Sequence, residues 1–375
     1  IQITDGSHNP PMGVEQSNYL MLSSKNIDDD YITLNDPRYL SQEDFEAENR
    51  RTNIKPNDLL ITIVGTIGRV AIVPNSLTEF CVQRSVAVLK PKPEIVYNRF
   101  LMHYLQSMRP YLEQESRGVA QKGIYLKQLS NLSIILPPLD EQRKIAAVLD
   151  KVSDLIAKRR QQLDKLDEMV KSRFIEMFGD PVDNPHGFRK VALSELAEIR
   201  IGPFGSLLHK EDYIEGGHPL LNPSHIVDGK VAPDSKLTIS DKKYDELEAY
   251  HLHTGDVVMG RRGEMGRCAV VPSEGFLCGT GSLLIRTKGE VTADYIQKTI
   301  SFPSFRKTIE DMAVGQTMPN LNVPIVSKFQ IIKPPIEVQK NYYKFVAQTD
   351  KSKYRQEKCI GFFQCLEKSI RQEWL

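Results

Sequence analysis

The 375-residue sequence lacks the features that would place it among secreted or membrane proteins. Its five cysteines are an odd number without a CxxC pair, so neither a disulfide framework nor a structural zinc site is expected. No run of about 20 apolar residues could form a transmembrane helix, and no signal peptide is recognisable. These absences favour a reducing, cytoplasmic setting and no membrane partner.

A recognisable catalytic site is missing as well. The sequence has no G-x-x-x-x-G-K-[ST] loop for a nucleotide. The NPPM stretch at 9–12 resembles the N-P-P-aromatic loop of DNA adenine methyltransferases, but Met12 cannot stack a flipped base as an aromatic residue would. His251 and His253 could contact a metal ion, but no third ligand has a suitable spacing. We therefore predict no catalytic residue, no metal site and no cofactor in this chain.

The sequence has no strong excess of charge of either sign. Its 49 basic and 48 acidic residues give a formal net charge of +1. This balance gives weak support for a nucleic-acid partner, although such a partner usually binds a local basic patch that net charge does not reveal. The length is sufficient for about two to three domains of ordinary size.

The most informative feature is an internal duplication. GTIGRVAIVP at 65–74 returns as GEMGRCAVVP at 263–272, with six of ten residues identical. ILPPLDEQRKI at 135–145 returns as IKPPIEVQKNY at 332–342, and Gly6-Ser7 is matched with Gly205-Ser206. Because these matches keep the same order at offsets of 197 to 199 residues, we predict two homologous halves.

Each half has the pattern of a mixed α+β globule. Short apolar runs typical of strands come first, an amphipathic helix follows, and a last strand ends at a Pro-Pro pair. In the first half the strands are predicted at 59–65, 70–74, 85–91 and 132–138, and the helix at 98–114 with a kink at Pro110. In the second half VVMG, CAVVP, SLLIRT and FQIIKPP are the strands, and the helix lies near 293–312.

A long helix is predicted after each Pro-Pro pair. From Ile145, apolar residues recur at alternating spacings of four and three over about five heptads, which indicates a coiled-coil seam. This helix is expected to begin near Asp140 and to end at Gly179. The second helix has a weaker seam and contains Gly361. The predicted interface residues are Ile145, Leu149, Val152, Ile156, Leu163, Leu166, Val170, Val346, Ile360, Phe363 and Ile370.

The order globule, helix, globule, helix predicts that the two helices pack against each other in opposite directions. An amphipathic stripe must be buried, and this pairing buries both stripes. The predicted fold is α+β, with two tandem α/β domains joined by two long antiparallel coiled-coil helices in pseudo-two-fold symmetry. The predicted domains are 1–138 and 179–335, and the predicted helices are 139–178 and 336–375.

Over essentially its whole length the chain resembles the specificity (S) subunits of type I restriction–modification enzymes. PPLDEQRKIAAVLD at 137–150 and PPIEVQ at 334–339 carry the resemblance, together with KSRFIEMFGDP at 171–181, IGPFGSLL at 201–208 and DVVMGRRGEMGRCAVV at 256–271. In that family each globule is a target recognition domain that reads half of a split, usually asymmetric DNA sequence. The helices set the gap between half-sites and dock methyltransferase subunits.

The resemblance implies that the chain binds and does not catalyse. The expected partners are double-stranded DNA, two methyltransferase (M) subunits and restriction (R) subunits. S-adenosylmethionine, ATP and Mg²⁺ are expected in those subunits, which would methylate adenine N6 and cleave DNA. This sequence departs from the pattern in two places: no counterpart of GFRKVALSELAEI (187–199) precedes Ile1, and Val338 stands where the first motif has Glu141.

DNA contacts are expected on loops that carry glycines, basic residues and amides. Arg and Lys pair with phosphates and guanine, whereas Asn and Gln pair with adenine. Arg69 and Arg267 occupy equivalent repeat positions, so a shared salt bridge and a shared phosphate contact are both open. Because these loops differ between the halves, the target is expected to be asymmetric. The candidate contact residues are His8, Arg69, Gln121, Lys122, Tyr125, Lys210, Arg261, Arg262, Arg267, Gln316 and Asn320.

Two other interpretations of the sequence stay open. The near-neutral charge and the weaker second seam also fit a coiled-coil scaffold that does not bind DNA. A third possibility is that the chain is the specificity half of a fused methyltransferase–specificity enzyme.

Overall fold

A computed structural model describes residues 1–116, 122–204, 207–313 and 320–374. The chain divides into two compact units, one formed by Ile1–Gln162 with Gln356–Leu375 and the other by Leu163–Arg355. The division falls inside the two long helices, so each unit contains a globular part and a portion of both helices. Among the described residues, no helix combines the length and the apolar character needed to span a bilayer.

The globular part of the first unit consists of short strands and short helices. Its strands are β1 Gln2–Asp5, β2 Tyr19–Leu22, β3 Arg38–Leu40, β4 Leu59–Thr62, β5 Val70–Ile72, β6 Phe80–Val82 and β7 Val86–Lys90. Its helices are α1 Gln42–Thr52, α2 Asn98–Ser107, α3 Arg109–Glu115 and α4 Leu126–Ser130, followed by the long α5 Leu139–Phe178. The strands form two sheets, in the orders β1-β7-β4-β5 and β3-β2-β6.

The second unit repeats this plan with additional short strands. Its strands are β8 Lys190–Ala192, β9 Ala197–Ile201, β10 Tyr213–Ile214, β11 His218–Leu221, β12 Ile226–Val227, β13 Lys230–Val231, β14 Thr238–Ile239, β15 His251–Leu252, β16 Val257–Gly260, β17 Cys268–Val270, β18 Phe276–Cys278, β19 Ser282–Thr287 and β20 Gln330–Ile332. Its helices are α6 Leu193–Leu196, α7 Asp241–Glu246, α8 Ala293–Ile300, α9 Pro303–Met312, α10 Val323–Ser327 and the long α11 Ile336–Trp374. The sheet β9-β19-β16-β17 corresponds strand for strand to β1-β7-β4-β5.

The central strands of these two sheets are buried on both faces. In β4, Leu59 and Ile61 belong to one apolar cluster and Leu60 to another. This alternation follows from the strand geometry, because successive side chains point to opposite faces of a sheet. The continuous apolar runs LLIT and VVMG therefore form strands with a core on each side.

Most predicted elements are confirmed, and the last strand of the first half is wrong. The predicted helix at 98–114 is divided at Met108, and Pro110 lies in the first turn of α3. Residues 132–138 form no strand. In the second unit β20 pairs with β8, whereas residues 132–138 have no such partner strand among the described residues of the first unit. Without that partner, Ile135 is 73% exposed, whereas Ile332 is fully buried.

A buried glutamine joins each long helix to the globular part of its unit. Gln142 accepts a hydrogen bond from the backbone N–H of Tyr97 at 2.8 Å and donates to the carbonyls of Ile95 (3.0 Å) and Pro137 (2.8 Å). Its repeat equivalent Gln339 is also buried. The glutamine in each Pro-Pro motif is thus a structural joint between the start of a long helix and the start of α2 or α8.

The second joint has the same chemistry. Gln339 accepts from the backbone N–H of Thr292 at 2.9 Å and donates to the carbonyl of Pro334 at 2.9 Å. The neighbouring positions differ, because Glu141 is exposed whereas Val338 packs against the apolar core of the second unit.

The two long helices pack against each other in opposite directions within each unit. In the first unit Arg159 of α5 donates a hydrogen bond to Gln356 of α11 at 3.0 Å, and these residues are 197 positions apart, the offset of the repeat. In the second unit the Tyr342 hydroxyl of α11 donates to the Val170 carbonyl of α5 at 3.2 Å. Together with the mixed sheet and helix content, this pairing confirms the predicted fold class.

The predicted seam residues differ in burial along the helices. Ile145, Leu149, Val152, Ile156 and Ile370 are buried in a cluster that also includes Phe100 and Tyr104, so this part of the seam packs against α2 as well. Ile360 and Phe363 pack against the same cluster, and Val170 and Val346 pack against the core of the second unit. Leu163 and Leu166 are half-buried.

In both units, the glycine that follows β1 or β9 allows two chain segments to approach each other closely. A Cβ on Gly6 would lie 1.9 Å from the Val82 carbonyl oxygen, and one on Gly202 would lie 2.0 Å from the Gly279 carbonyl oxygen. Gly202 is therefore the structural equivalent of Gly6. The predicted match of Gly6-Ser7 with Gly205-Ser206 falls on residues outside the described ranges.

Replacing Phe174 with alanine should strongly destabilise the second unit. Phe174 is fully buried, and its ring lies 5.0 Å from that of Phe178 and 5.5 Å from that of Tyr342, centroid to centroid. The resulting cavity should lower the free energy of unfolding by about 3–5 kcal/mol, measured by urea denaturation followed by circular dichroism. Ile175→Ala is the matched control, since Ile175 is 51% exposed and its loss should change stability by less than about 0.5 kcal/mol. Equal effects would contradict the packing.

Substituting the close-contact glycines should destabilise the chain, whereas substituting a helical glycine should stabilise it. Gly6→Ala and Gly202→Ala each place a methyl group against a backbone carbonyl that cannot rotate away. Gly361→Ala, in α11, has no atom within 4 Å of the new Cβ and should stabilise by about 0.5–1 kcal/mol. Thermal unfolding measures both effects, and an unchanged melting temperature in Gly6→Ala would show that the two segments are not in contact.

Candidate nucleic-acid interface

Five loops of the first unit meet at one end of its sheets. We name this surface the first rim and define it as residues 6–8, 22–26, 63–67, 83–85 and 122–125. Its backbone is held together by hydrogen bonds between loops: Gln83 N–H to Leu22 O (2.8 Å), Arg84 N–H to Ser7 O (2.8 Å), Ile63 N–H to Ser85 O (2.9 Å) and Ile124 N–H to Ile63 O (2.8 Å). Loops tied together in this way can present side chains in defined positions.

The second unit forms an equivalent surface. We name it the second rim and define it as residues 202–204, 221–225, 261–266, 279–281 and 320–322. The matching hydrogen bonds run from Gly279 N–H to Leu221 O (3.1 Å), Arg261 N–H to Gly281 O (3.0 Å) and Leu321 N–H to Arg261 O (2.9 Å). The two rims therefore share one backbone framework.

The side chains on this shared framework differ between the rims. The isolated bridge between Val64 and Gly123 in the first rim corresponds to the bridge between Arg262 and Asn320 in the second. Arg261 likewise corresponds to Ile63. The backbone carbonyl of each accepts a hydrogen bond from the loop before a short helix, α10 for Arg261 and α4 for Ile63. The second rim thus carries two arginines and an asparagine where the first has two apolar residues and a glycine.

Arg261 and Arg262 form a cationic pair without a carboxylate partner among the described residues. Arg261 donates to the Asn320 side-chain oxygen at 3.1 Å. Burial and the neighbouring charge of Arg262 both lower the pKa of the Arg261 guanidinium. Since an anion would relieve this repulsion, the pair is suited to contact a phosphate or the acceptor edge of a guanine.

Arg69 and Arg267, the equivalent arginines of the repeat, are both engaged in ion pairs. Arg69 donates to Asp28 at 2.8 Å. Arg267 donates to Glu264 at 3.1 Å through Nε and to the Pro223 carbonyl at 3.3 Å. Each arginine thus has a salt bridge, but the acidic partners lie at non-equivalent positions of the repeat, and DNA contact by either arginine stays a prediction.

The other predicted contact residues lie on or near the rims. Lys122 is exposed on the first rim, and Tyr125, 67% exposed, is the residue before α4. His8, also on the first rim, contacts Asp5 at 2.8 Å. Lys210 is exposed in the short turn Lys210–Asp212, apart from the loops that define the second rim. Gln121 and Gln316 lie outside the described residues.

One exposed cation on the first rim was not predicted from the sequence. Arg84 lies in the turn between β6 and β7 and is exposed. The available signal was its position between the apolar runs FCV and VAVLK, which marks a turn at the edge of the sheet. In the part of the chain that the structure describes, no group of three or more His, Cys, Asp or Glu side chains could hold a metal ion.

Comparison with known sequences identifies the family. The profile of the type I restriction modification DNA specificity domain matches residues 18–167 and again residues 185–359. The specificity subunit of the type I restriction enzyme EcoBI of Escherichia coli is 37% identical over 121 residues, covering 32% of this chain and 25% of that subunit. The MjaVIII specificity subunit of Methanocaldococcus jannaschii is 20% identical over 317 residues, covering 78% of this chain and 72% of that subunit.

Solved structures share the fold at low sequence identity. The type I S subunit from M. genitalium superimposes with a TM-score of 0.56 at 13% identity, covering 99% of this chain and 92% of that one. A chain from a structure of complex assembly and conformational transition in a type I R-M system gives a TM-score of 0.59 at 20% identity, covering 85% and 82%.

The double profile match repeats the duplication found in the sequence, with one specificity domain in each half. Specificity subunits are non-catalytic, and the catalytic activity of these systems lies in partner subunits. On the evidence of both matched domains, the chain belongs to the family of type I restriction–modification DNA specificity proteins.

Proposed function

We propose that this chain is a specificity subunit that binds duplex DNA at a split, asymmetric site. Residues 1–138 and 179–335 are the two recognition domains, and residues 139–178 and 336–375 are the helices that separate them. The chain contributes recognition and no chemistry of its own. Because the chain would act on DNA, we place it in the cytoplasm.

This proposal rests on the two rims, which share the same backbone framework but carry different side chains. A shared framework would offer each half-site the same approach to the duplex. The different side chains would then select different bases, because sequence is read by contacts to base edges and not by the backbone of the protein. Arg262 and Asn320 in place of Val64 and Gly123 make the expected target asymmetric.

The partners of this role are methyltransferase and restriction subunits. The likeness to a chain from a type I R-M complex supports their presence. We infer two methyltransferase subunits, one for each recognition domain, because the chain is duplicated. S-adenosylmethionine, ATP and Mg²⁺ would be bound by these partner subunits. Glu141 and Val338 differ at equivalent positions of the two helices, so the two docking surfaces are not identical in chemistry.

Footprinting tests the proposed function directly. The chain is combined with the methyltransferase subunits of its own system, and the complex is probed on target DNA with hydroxyl radicals. We expect two protected patches separated by an accessible gap, since each rim would cover one half-site. A single continuous patch would contradict the split target. Complete absence of protection would instead favour a scaffold that does not bind DNA.

Neutralising one exposed cation on either rim should weaken binding and reduce its dependence on salt. Each lost phosphate contact flattens the slope of log K against log salt concentration by about 0.9. We expect this change for Lys122→Ala and Arg262→Ala in fluorescence anisotropy titrations at several salt concentrations. Lys351→Ala removes an exposed charge from α11 and serves as the matched control. Slopes equal to the control in both variants would exclude these two residues from the interface.

A further inference from the structure

The turn at 83–85 is hydrogen-bonded to three of the other four loops of the first rim. Neighbouring loops hold all three of its residues: Gln83 N–H donates to Leu22 O, Arg84 N–H donates to Ser7 O, and Ser85 O accepts from Ile63 N–H. The Ser85 hydroxyl also accepts from the Ser24 N–H at 3.1 Å. The position of this turn is therefore fixed from several sides.

Arg84, like Lys122, has a side chain without an ion pair to a described residue, whereas three other cations at or beside the first rim are paired. Lys25 pairs with Asp36, Arg69 with Asp28, and Arg109 with Asp29. These aspartates neutralise the basic residues beside the rim. Arg84 is left exposed, with its five donors available to an external acceptor.

The second rim has no cation at this turn. The equivalent turn consists of Gly279, Thr280 and Gly281. Its first residue makes the matching hydrogen bond, because the Gly279 N–H donates to the Leu221 carbonyl as the Gln83 N–H donates to the Leu22 carbonyl. The second rim has its unpaired arginines at 261 and 262 instead, where the first rim has apolar residues. Each rim thus has arginine without a carboxylate partner among the described residues, Arg84 in the first and Arg261 and Arg262 in the second, on different loops of the same framework.

We propose that Arg84 is a specificity-determining residue that reads a guanine in the half-site bound by the first unit. The guanidinium would donate two parallel hydrogen bonds to O6 and N7 in the major groove, the usual pairing of arginine with guanine. This inference rests on the proposed function. A turn that is hydrogen-bonded to loops on several sides favours a base over a phosphate, since the phosphates run along the outer edges of the groove.

The test is selection of DNA ligands by the complete complex. The chain, with its own methyltransferase subunits, is incubated with a randomised duplex library, and the bound DNA is sequenced for the wild type, Arg84→Ala and Arg84→Lys. Arg50→Ala is the charge-matched control, because Arg50 is exposed on α1 in the same unit. Circular dichroism confirms that each variant is folded.

The expected result is a change confined to one base pair. Wild type and Arg50→Ala should enrich one split motif with guanine at a position of one half-site. Arg84→Ala should lose roughly 5- to 150-fold of the preference for that guanine while the other half-site is unchanged. Arg84→Lys should keep part of the preference, since an ammonium can donate to guanine but lacks the planar fork of arginine.

Other outcomes overturn the inference in distinguishable ways. An unchanged motif in Arg84→Ala, or uniformly weaker binding without altered base preference, would exclude base reading by Arg84 and leave the proposed function intact. A wild-type complex that enriches no split motif would overturn the proposed function and this inference together.

Discussion

The position of each long helix relative to its globular part depends on the hydrogen bonds of one buried glutamine at the start of the helix. Gln142 and Gln339 satisfy backbone groups at the entrance to α2 or α8 and in the Pro-Pro segment at the same time. The side-chain amide has both a donor and an acceptor end, so a single residue can bond to two chain segments. Replacing it would leave buried backbone groups without partners, which is costly in free energy. The repeated Pro-Pro motif thus fixes how a globule meets its helix.

The two units secure their helix pairs by different chemistry. In the first unit Asp150 of α5 contacts His103 at 2.6 Å and pairs with Arg99, while Arg371 of α11 donates to the His103 carbonyl at 2.6 Å. Burial alone would raise the pKa of the Asp150 carboxyl, but the bonds from His103 and Arg99 hold it below its usual value. In the second unit the position equivalent to Arg371 is Phe174, at the centre of an aromatic cluster. The two units therefore share the antiparallel packing of the long helices, but different side-chain contacts stabilise that packing in each unit.

The sequence was sufficient to predict the duplication, the buried strands and the two long helices. The strands and helices follow from periodic apolar patterns, and Gly179 and Pro181 mark the end of the first long helix after Phe178. The strand expected at 132–138 is not formed, because an apolar run becomes a strand only when a partner is present, and no described strand of the first unit pairs with these residues. The rims could be predicted only in part. Their residues come from loops far apart in the chain, and Arg84 carries no local signal beyond a turn.

We propose that one framework, used twice, presents two different sets of side chains to two halves of one DNA sequence. Sequencing the modified bases of the host genome with the gene intact and with the gene deleted tests this proposal. Deletion should abolish methylation at one motif made of two different short sequences separated by a fixed gap. Unchanged methylation, or loss at a continuous or symmetric motif, would contradict it.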